Sequence, residues 1–334
     1  MSLLDKKTIL ITGGTGSFGK KFIEIVLKKY KPKKIIIFSR DELKQYLMKS
    51  QLKKFGKILR YFLGDVRDLD RLRLAMQDVD LVIHAAALKH VDSGEYNPFE
   101  VIKTNVVGTQ NVVDAIVDSK VENAIFLSTD KAVSPINLYG ASKLAAEKLF
   151  IAANNFSKKK FSVVKYGNVF NSRGSVVPTF IEQIKKRNKL FLTNKKMTRF
   201  NISLEEGVNF VIMCLNKMIG GETFIPIMDT IEIIDLIKIL NPKQGFEEIG
   251  IKPGEKIHEE LISASDNSVK INCGKYFIIC PSTSLSKDPV VKKYLKKNRG
   301  KIIKNNFSYN SSDTKKRLKS SEIKKLVIKN YQIK

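Results

Sequence analysis

Thr12-Gly13-Gly14-Thr15-Gly16-Ser17-Phe18-Gly19 follows a short apolar run, Thr8 to Ile11, and opens an amphipathic stretch from Lys20 to Tyr30. In that setting Gly13, Gly16 and Gly19 allow a tight turn, a close approach of backbone to a pyrophosphate, and close packing of helix on strand. The phosphates then lie at the helix N-terminus. The same alternation continues outward. Apolar runs at Lys34 to Phe38, Leu59 to Leu63, Leu81 to His84, Ala124 to Leu127 and Ser162 to Tyr166 are separated by helical patterns, among them Pro98 to Asp118 and Tyr139 to Asn155. Strand and helix in turn predict βαβ units and an α/β fold, a doubly wound parallel sheet of the Rossmann type.

After about residue 170 the alternation weakens. Thr179 to Arg187, Leu204 to Met218 and Ile231 to Leu240 read as helices between short strands, which predicts a smaller C-terminal substrate-binding domain. The expected division is 1–170 for the dinucleotide, 171–284 mainly for the substrate with strands returning to the first sheet, and a Lys-rich segment over 285–334. Tyr276 to Ile279 fits a strand and Ile323 to Ile328 a helix.

The chain has 334 residues, 43% of them hydrophobic, enough to bury a sizeable core. No apolar run is long enough for a membrane span, and a strand-like segment begins too early for a signal peptide, so a cytoplasmic protein is expected. Cys214, Cys273, Cys280, His84, His90 and His258 are scattered, and neither a disulfide framework nor a metal site is expected. Sixty Lys and Arg against 33 Asp and Glu give a formal charge of +27. Such a field concentrates polyanions. Yet the lysines recur as helix-surface residues (Lys20, Lys21, Lys28, Lys29, Lys185, Lys186) and crowd the last fifty positions, which reads as a solvated face, not a nucleic-acid site.

At the end of the second strand, Phe38-Ser39-Arg40-Asp41 stands where an NAD enzyme usually places a carboxylate on the ribose. Arg40, with Ser39 and Lys44, suits the adenosine 2′-phosphate and favours NADP, while Asp41 leaves NAD open. Thr15, Ser17 and Phe18 in the glycine turn, Asp65 and Val66 after the third strand, Ala85, Ala86 and Ala87 after the fourth, and Asn105 complete the expected cofactor set.

The fifth strand runs into Ser128-Thr129-Asp130-Lys131, followed by Tyr139-Gly140-Ala141-Ser142-Lys143. Tyr139 and Lys143 share a helix face, so the lysine cation is expected to lower the phenol pKa and make it a base at a substrate hydroxyl. Together with the glycine turn, this pair resembles the extended short-chain dehydrogenase/reductase superfamily over roughly residues 6 to 280.

The string from Ser128 to Lys143 is similar, within that superfamily, to the soluble, configuration-inverting UDP-N-acetylglucosamine 4,6-dehydratases that begin pseudaminic acid synthesis. Ser39 to Lys44, Ala86 to Val91, Tyr166 to Asn168, Ser172 to Pro178, Met197 to Phe200 and Lys252 to Glu259 match in the same order, and His90-Val91-Asp92 echoes a dehydratase motif. The resemblance implies that Tyr139 and Thr129 act at the 4-hydroxyl, with Lys143 supporting Tyr139. Lys131, as a neutral amine, would remove the C5 proton, and Asp130, kept protonated, would assist departure of the C6 hydroxyl. It further implies substrate contacts from Lys89, Asn168, Arg173, Arg199 and Glu255, and a homo-oligomer, dimer or hexamer. Asn171, Asn201 and Lys252 depart from the expected pattern and bear on the sugar. Coupled C6-dehydratase/C5-epimerases, membrane-attached retaining dehydratases and 4-epimerases are the neighbouring readings. A basic cofactor-binding regulator is the reading from another class.

Overall fold

The glycine segment lies where strand β1 (Thr8–Thr12) turns into helix α1 (Ser17–Lys29). A computed structural model describes residues 3–170, 176–186, 189–241, 245–313 and 316–331. The chain continues through β2 (Lys34–Ser39), α2 (Glu42–Gln51), β3 (Leu59–Leu63), α3 (Leu69–Ala75) and β4 (Leu81–His84). Next come α4 (Val91–Tyr96), α5 (Pro98–Ile102), α6 (Gly108–Val117), β5 (Asn123–Thr129), α7 (Leu138–Ala152) and β6 (Lys160–Tyr166). These six strands are parallel and lie in the order β3-β2-β1-β4-β5-β6. Chain order reverses beside β1, which opens a crevice at the carboxyl ends of β1 and β4. Both strands are buried along their whole length because helices cover both faces of the sheet. The single helix expected over Pro98 to Asp118 is divided by a π turn at Lys103–Val107, where Thr104 and Asn105 are buried.

Beyond β6 lie β7 (Asn168–Val169), α8 (Val176–Lys185), β8 (Leu190–Leu192), β9 (Thr198–Ile202), α9 (Leu204–Lys217), β10 (Thr223–Pro226), β11 (Asp229–Glu232) and α10 (Ile233–Leu240). They are followed by β12 (Phe246–Glu248), β13 (Glu260–Ile262), β14 (Lys270–Asn272), β15 (Tyr276–Ile279), α11 (Pro289–Asn298), β16 (Lys301–Ile302), β17 (Tyr309–Asn310) and α12 (Ser320–Tyr331). Strand β10 joins β6 in parallel, and β15, β14 and β16 extend the sheet antiparallel to ten strands. Helix α9, started by a Ser203/Glu206 capping box, packs on α1. The helix expected from Ile231 begins at Ile233, since Ile231 pairs with Arg199 in the β11-β9 ladder. Phe180, Leu190, Leu236, Ile323 and Val327 form a separate core for this half.

The lysine-rich end is more ordered than its weak pattern predicts. Val291 and Tyr294 bury one face of α11, Ile323 and Val327 seat α12 on α10, and β17 pairs with β13. Three- and four-residue apolar spacings persist between the lysines, and these build the buried stripes. No helix among the described residues is long and apolar enough to cross a membrane.

Candidate active site

A cleft of about 590 Å³ opens at the carboxyl ends of the central strands. Gly13, Thr15, Gly16, Ser17, Phe18 and Gly19 form one wall; Ser39, Arg40, Asp65 and Val66 border the next stretch, and Ala85, Ala86 and Ala87 another. Gly13 has φ +66°, and a Cβ on it would stand 3.0 Å from the Ala86 backbone, so only glycine lets the turn lie against the loop after β4. A Cβ on Gly19 would meet the Gly14 carbonyl oxygen at 2.4 Å, so α1 could not start where it does. The N-cap of α1, Gly16, has no side chain to cover the first-turn N–H groups, and Gly16, Ser17 and Phe18 face the cleft. This cradle fits the pyrophosphate of a dinucleotide.

At the rim, the half-exposed Arg40 guanidinium lies 3.5 Å from Asp65, which Arg67 also holds at 2.7 Å. Burial raises the Asp65 carboxyl, but Arg67 and Arg40 outweigh it and keep the group below its usual range. The expected contribution of Lys44 is not seen in the cleft, because its ammonium pairs with Asp41, whose carboxylate also caps α2 by accepting the Lys44 N–H at 2.9 Å. Asn105 is likewise displaced from the expected role. Its amide is consumed behind the wall: Oδ1 accepts from Leu88 N at 2.8 Å, and Nδ2 donates to Leu88 O at 2.9 Å and Ser142 Oγ at 3.0 Å. It ties the loop after β4 to α7.

Strand β5 delivers Thr129 to the cleft, and the tight turn after it carries Asp130 and Lys131. Helix α7 starts at Asn137, whose Oδ1 accepts the Gly140 N–H at 2.8 Å. It crosses the turn so closely that a Cβ on Gly140 would stand 2.2 Å from the Lys131 carbonyl oxygen. This crossing puts Tyr139 beside Thr129, to which it is hydrogen-bonded. Thr129, Lys131, Tyr139 and Lys143 line the cleft. Asp130 is fully buried behind them. Its Oδ1 accepts from Thr129 Oγ1 at 2.9 Å and from Lys131 Nζ at 3.1 Å. Its Oδ2 has no partner among the described residues and lies 3.2 Å from where a Cβ on Gly167, a cleft residue, would stand.

The charge states correct one expectation, that Lys143 lowers the Tyr139 phenol, and show what the expected amine at Lys131 requires. Burial lowers the Lys131 ammonium, but the carboxylates of Asp130 and of Glu259, 3.3 Å away, overcome it and hold the group above the ordinary lysine range. The pocket's own groups therefore favour the ammonium, and the neutral amine expected of the acting base requires that this proton first be passed on. Burial and Glu259 raise the Asp130 carboxyl against the pull of Lys131 and Thr129, in keeping with a protonated acid. Once Asp130 holds a proton, Glu259 is the carboxylate left to hold that of Lys131. Burial also pushes the Tyr139 phenol up to about 12, and the groups that pull it back are Lys131 and Thr129, not Lys143. Lys143 faces inward: Nζ donates to Leu127 O at 2.7 Å and stands 3.8 Å over the Phe126 ring, and burial lowers it to about 7. Behind it Glu147, paired with Lys165 at 3.0 Å and hydrogen-bonded by Ser128, supports its charge.

On the substrate side, Lys89 and Asn168 line the cleft, and Asn168 Oδ1 is buried without a partner among the described residues. Arg173 lies outside the described residues. Arg199 does not reach the cleft; its guanidinium donates to Thr198 O at 2.8 Å and Ile257 O at 3.0 Å, and its Nε lies 3.7 Å from Glu259. Glu255 also lies off the cleft lining, in a turn bolted to the α7 N-terminus by Asn137 Nδ2 donating to Gly254 O at 2.9 Å. Sequence reasoning did not single out Glu259. Its only signal was its place at the end of the matching string from Lys252.

The family model described as "Polysaccharide biosynthesis protein" matches residues 9–281. The UDP-N-acetylglucosamine 4,6-dehydratase (inverting) of Campylobacter jejuni subsp. jejuni serotype O:2 is 51% identical over 316 residues, covering 93% of this chain and 94% of that one. The UDP-glucose 4-epimerase of Rickettsia bellii (strain OSU 85-389) is 41% identical over 332 residues, covering 96% and 95%. Among solved structures, Pen from Bacillus thuringiensis superposes with a TM-score of 0.88 at 36% identity, over 99% of this chain and 100% of that one.

Proposed function

The chain belongs to this polysaccharide biosynthesis protein family, and we propose that it is a nucleotide-sugar 4,6-dehydratase that converts UDP-N-acetylglucosamine with inversion at C5. The observation that carries this reading is the Asp130-Lys131 pair beside Tyr139 at the dinucleotide cleft, with Lys131 and Tyr139 in its lining and Asp130 buried behind them. A 4-epimerase needs no acid and base for loss of water, so the pair ranks dehydration above the activity named for the Rickettsia relative.

The glycine turn, Asp65, Val66 and Ala85 to Ala87 would hold the dinucleotide, with Arg40 and Ser39 at a 2′-phosphate that makes it NADP. That cofactor supplies the oxidant for sugar C4 and the reductant for C6. Residues 1–170 serve it, and 171–284 serve mainly the nucleotide sugar, to which Asn168 and Lys89 are offered. Burial keeps the Tyr139 phenol protonated at rest, against the Lys131 charge and the Thr129 hydrogen bond, which favour the phenolate. As the phenolate, Tyr139, with Thr129, takes the 4-hydroxyl proton, and Lys143 supports this end of the site. A C4 ketone acidifies the C5 hydrogen. Lys131, once its own proton has passed to a neighbouring carboxylate, removes that hydrogen. Asp130 protonates the departing C6 oxygen, its Oδ2 reaching the cleft past the bare Gly167.

The test is incubation with UDP-N-acetylglucosamine in deuterated water and NMR of the product. A 6-deoxy-4-keto sugar with deuterium at an inverted C5 is expected. Absence of turnover, or a 4-epimer as product, would sink the reading. Lys131→Ala should accumulate the C4-oxidised state and form no 6-deoxy sugar.

A further inference from the structure

Glu259 is buried just before β13, yet its Oε1 lies 3.3 Å from Lys131 Nζ and 3.7 Å from Arg199 Nε. With Asp130 Oδ1 at 3.1 Å as well, Lys131 Nζ contacts two carboxyl groups from distant parts of the chain, of which Glu259 is the ionised one. Residue 259 is fixed from behind by the lysine-rich segment. Ser311 Oγ accepts the Glu259 N–H at 2.9 Å, Ser311 N donates to Glu259 O at 2.8 Å, and Ser311 Oγ shares a 2.7 Å hydrogen bond with Thr198. Burying charge costs several kcal/mol per ion, roughly, unless every lone pair is engaged. Here Glu259 Oε2 and Asp130 Oδ2 both lack partners among the described residues. Open acceptor positions of this kind weaken a purely structural ion pair and serve one that exchanges protons.

We propose that Glu259 is a positioning residue for Lys131, seating its amine and storing its proton while the amine acts at the sugar. This rests on the dehydratase reading. One proton crosses from Nζ to the Glu259 carboxylate, so ammonium and carboxylate become amine and acid with no change in net charge. The amine takes the C5 proton, and the C5–H electrons form the C5–C6 double bond as the C6–O bond breaks. The Asp130 proton leaves with that oxygen as water, the proton taken from the 4-hydroxyl replaces it on the enzyme, and C5 later regains a proton. At rest burial raises the Glu259 carboxyl, but Lys131, Arg199 and Lys256 outweigh it and keep the group below its usual range. The proton therefore lies on Nζ and is only lent to Glu259 for the step, where Oε2 takes it without breaking a hydrogen bond. The charged and titratable groups facing Lys131 are Asp130, Glu259 and Arg199, with Tyr139 beyond; those facing Glu259 are Lys131, Arg199 and Lys256.

The experiment compares the full-length protein with Glu259→Gln and Glu259→Asp by two readouts. The first is the pH midpoint of Lys131 acetylation by acetic anhydride, followed by peptide mass spectrometry, which needs no substrate. Removing an anion at this distance should lower the midpoint by about one unit or more in Glu259→Gln. Glu259→Asp, which keeps the charge at shorter reach, should fall between and serves if the amide variant does not fold. The second is turnover of UDP-N-acetylglucosamine, where kcat should fall roughly tenfold or more in Glu259→Gln with little change in KM. An unchanged midpoint, or a shifted midpoint with wild-type kcat, overturns the proposal. A shifted midpoint in a protein whose wild type leaves UDP-N-acetylglucosamine untouched instead overturns the functional reading and leaves the hold of Glu259 on the Lys131 proton standing.

Discussion

Gly140→Ala is the substitution that most directly tests how α7 is set against the catalytic turn. In an exposed helix interior, alanine for glycine stabilises by about 0.5–1 kcal/mol. Here the new Cβ would stand 2.2 Å from the Lys131 carbonyl oxygen, 3.0 Å from its carbonyl carbon and 3.1 Å from Pro135 Cβ. Ordinary contact begins near 3.4 Å, so about 1.2 Å must be recovered, and the nearest atom is backbone that no rotamer change can move. Overpacking of this kind costs about 1–3 kcal/mol, which outweighs the helix gain and leaves a net loss on the order of 1–2 kcal/mol. The larger effect falls on chemistry. Relief requires α7 to withdraw from the turn, carrying Tyr139 away from Thr129 and Lys131, and a displacement near 1 Å costs roughly 100-fold in rate. Calorimetric melting and steady-state kinetics with UDP-N-acetylglucosamine give both numbers. A Gly140→Ala protein as stable as the parent, with kcat within about twofold of it, would refute the close crossing as the device that assembles the site.

Arg40→Ala should weaken NADP by roughly 10–100-fold and leave NAD nearly unchanged, as expected for a charge-assisted hydrogen bond to the 2′-phosphate; equal losses for both dinucleotides by titration calorimetry would contradict that role. His84, buried between Thr12 Oγ1 at 2.7 Å and Thr109 Oγ1 at 3.0 Å, is lowered to about 3 by burial and then by Lys143. Its folded pKa lies below the unfolded one, so the unfolded chain binds the extra proton. Stability should fall as pH drops from 6.5 toward 3, by up to about 1.4 kcal/mol per unit from this group. The slope should flatten in His84→Asn, and an identical slope in that variant would remove His84 as the cause. Ser311→Ala leaves the Glu259 N–H without its acceptor and should cost about 1–3 kcal/mol. It should also lower kcat, and a loss of stability without any loss of kcat would show that the clasp does not serve the site.

The six parallel strands β1 to β6, with β15, the glycine turn at β1 and the pairs Tyr139-Lys143 and Asp130-Lys131 were legible in the sequence, because periodicity and short spacings belong to contiguous chain; β10, β14 and β16, which complete the sheet, were not located. The helix break at Lys103–Val107 was not legible either, since the apolar spacing runs through it and Thr104, Asn105 and Gly108 only lower helix propensity there. Charge and contact were decided elsewhere. Lys44 is spent on Asp41, Asn105 on Leu88 and Ser142, and Arg199 on carbonyl groups and Glu259. The protonation of Lys131 depends on a glutamate held in place by Ser311, near the far end of the chain. Residue types alone set what Lys131, Asp130 and Tyr139 can do. Which of them carries a proton was left to the tertiary structure, because pKa values follow burial and the charges within a few ångströms, and folding alone determines which distant segments converge there.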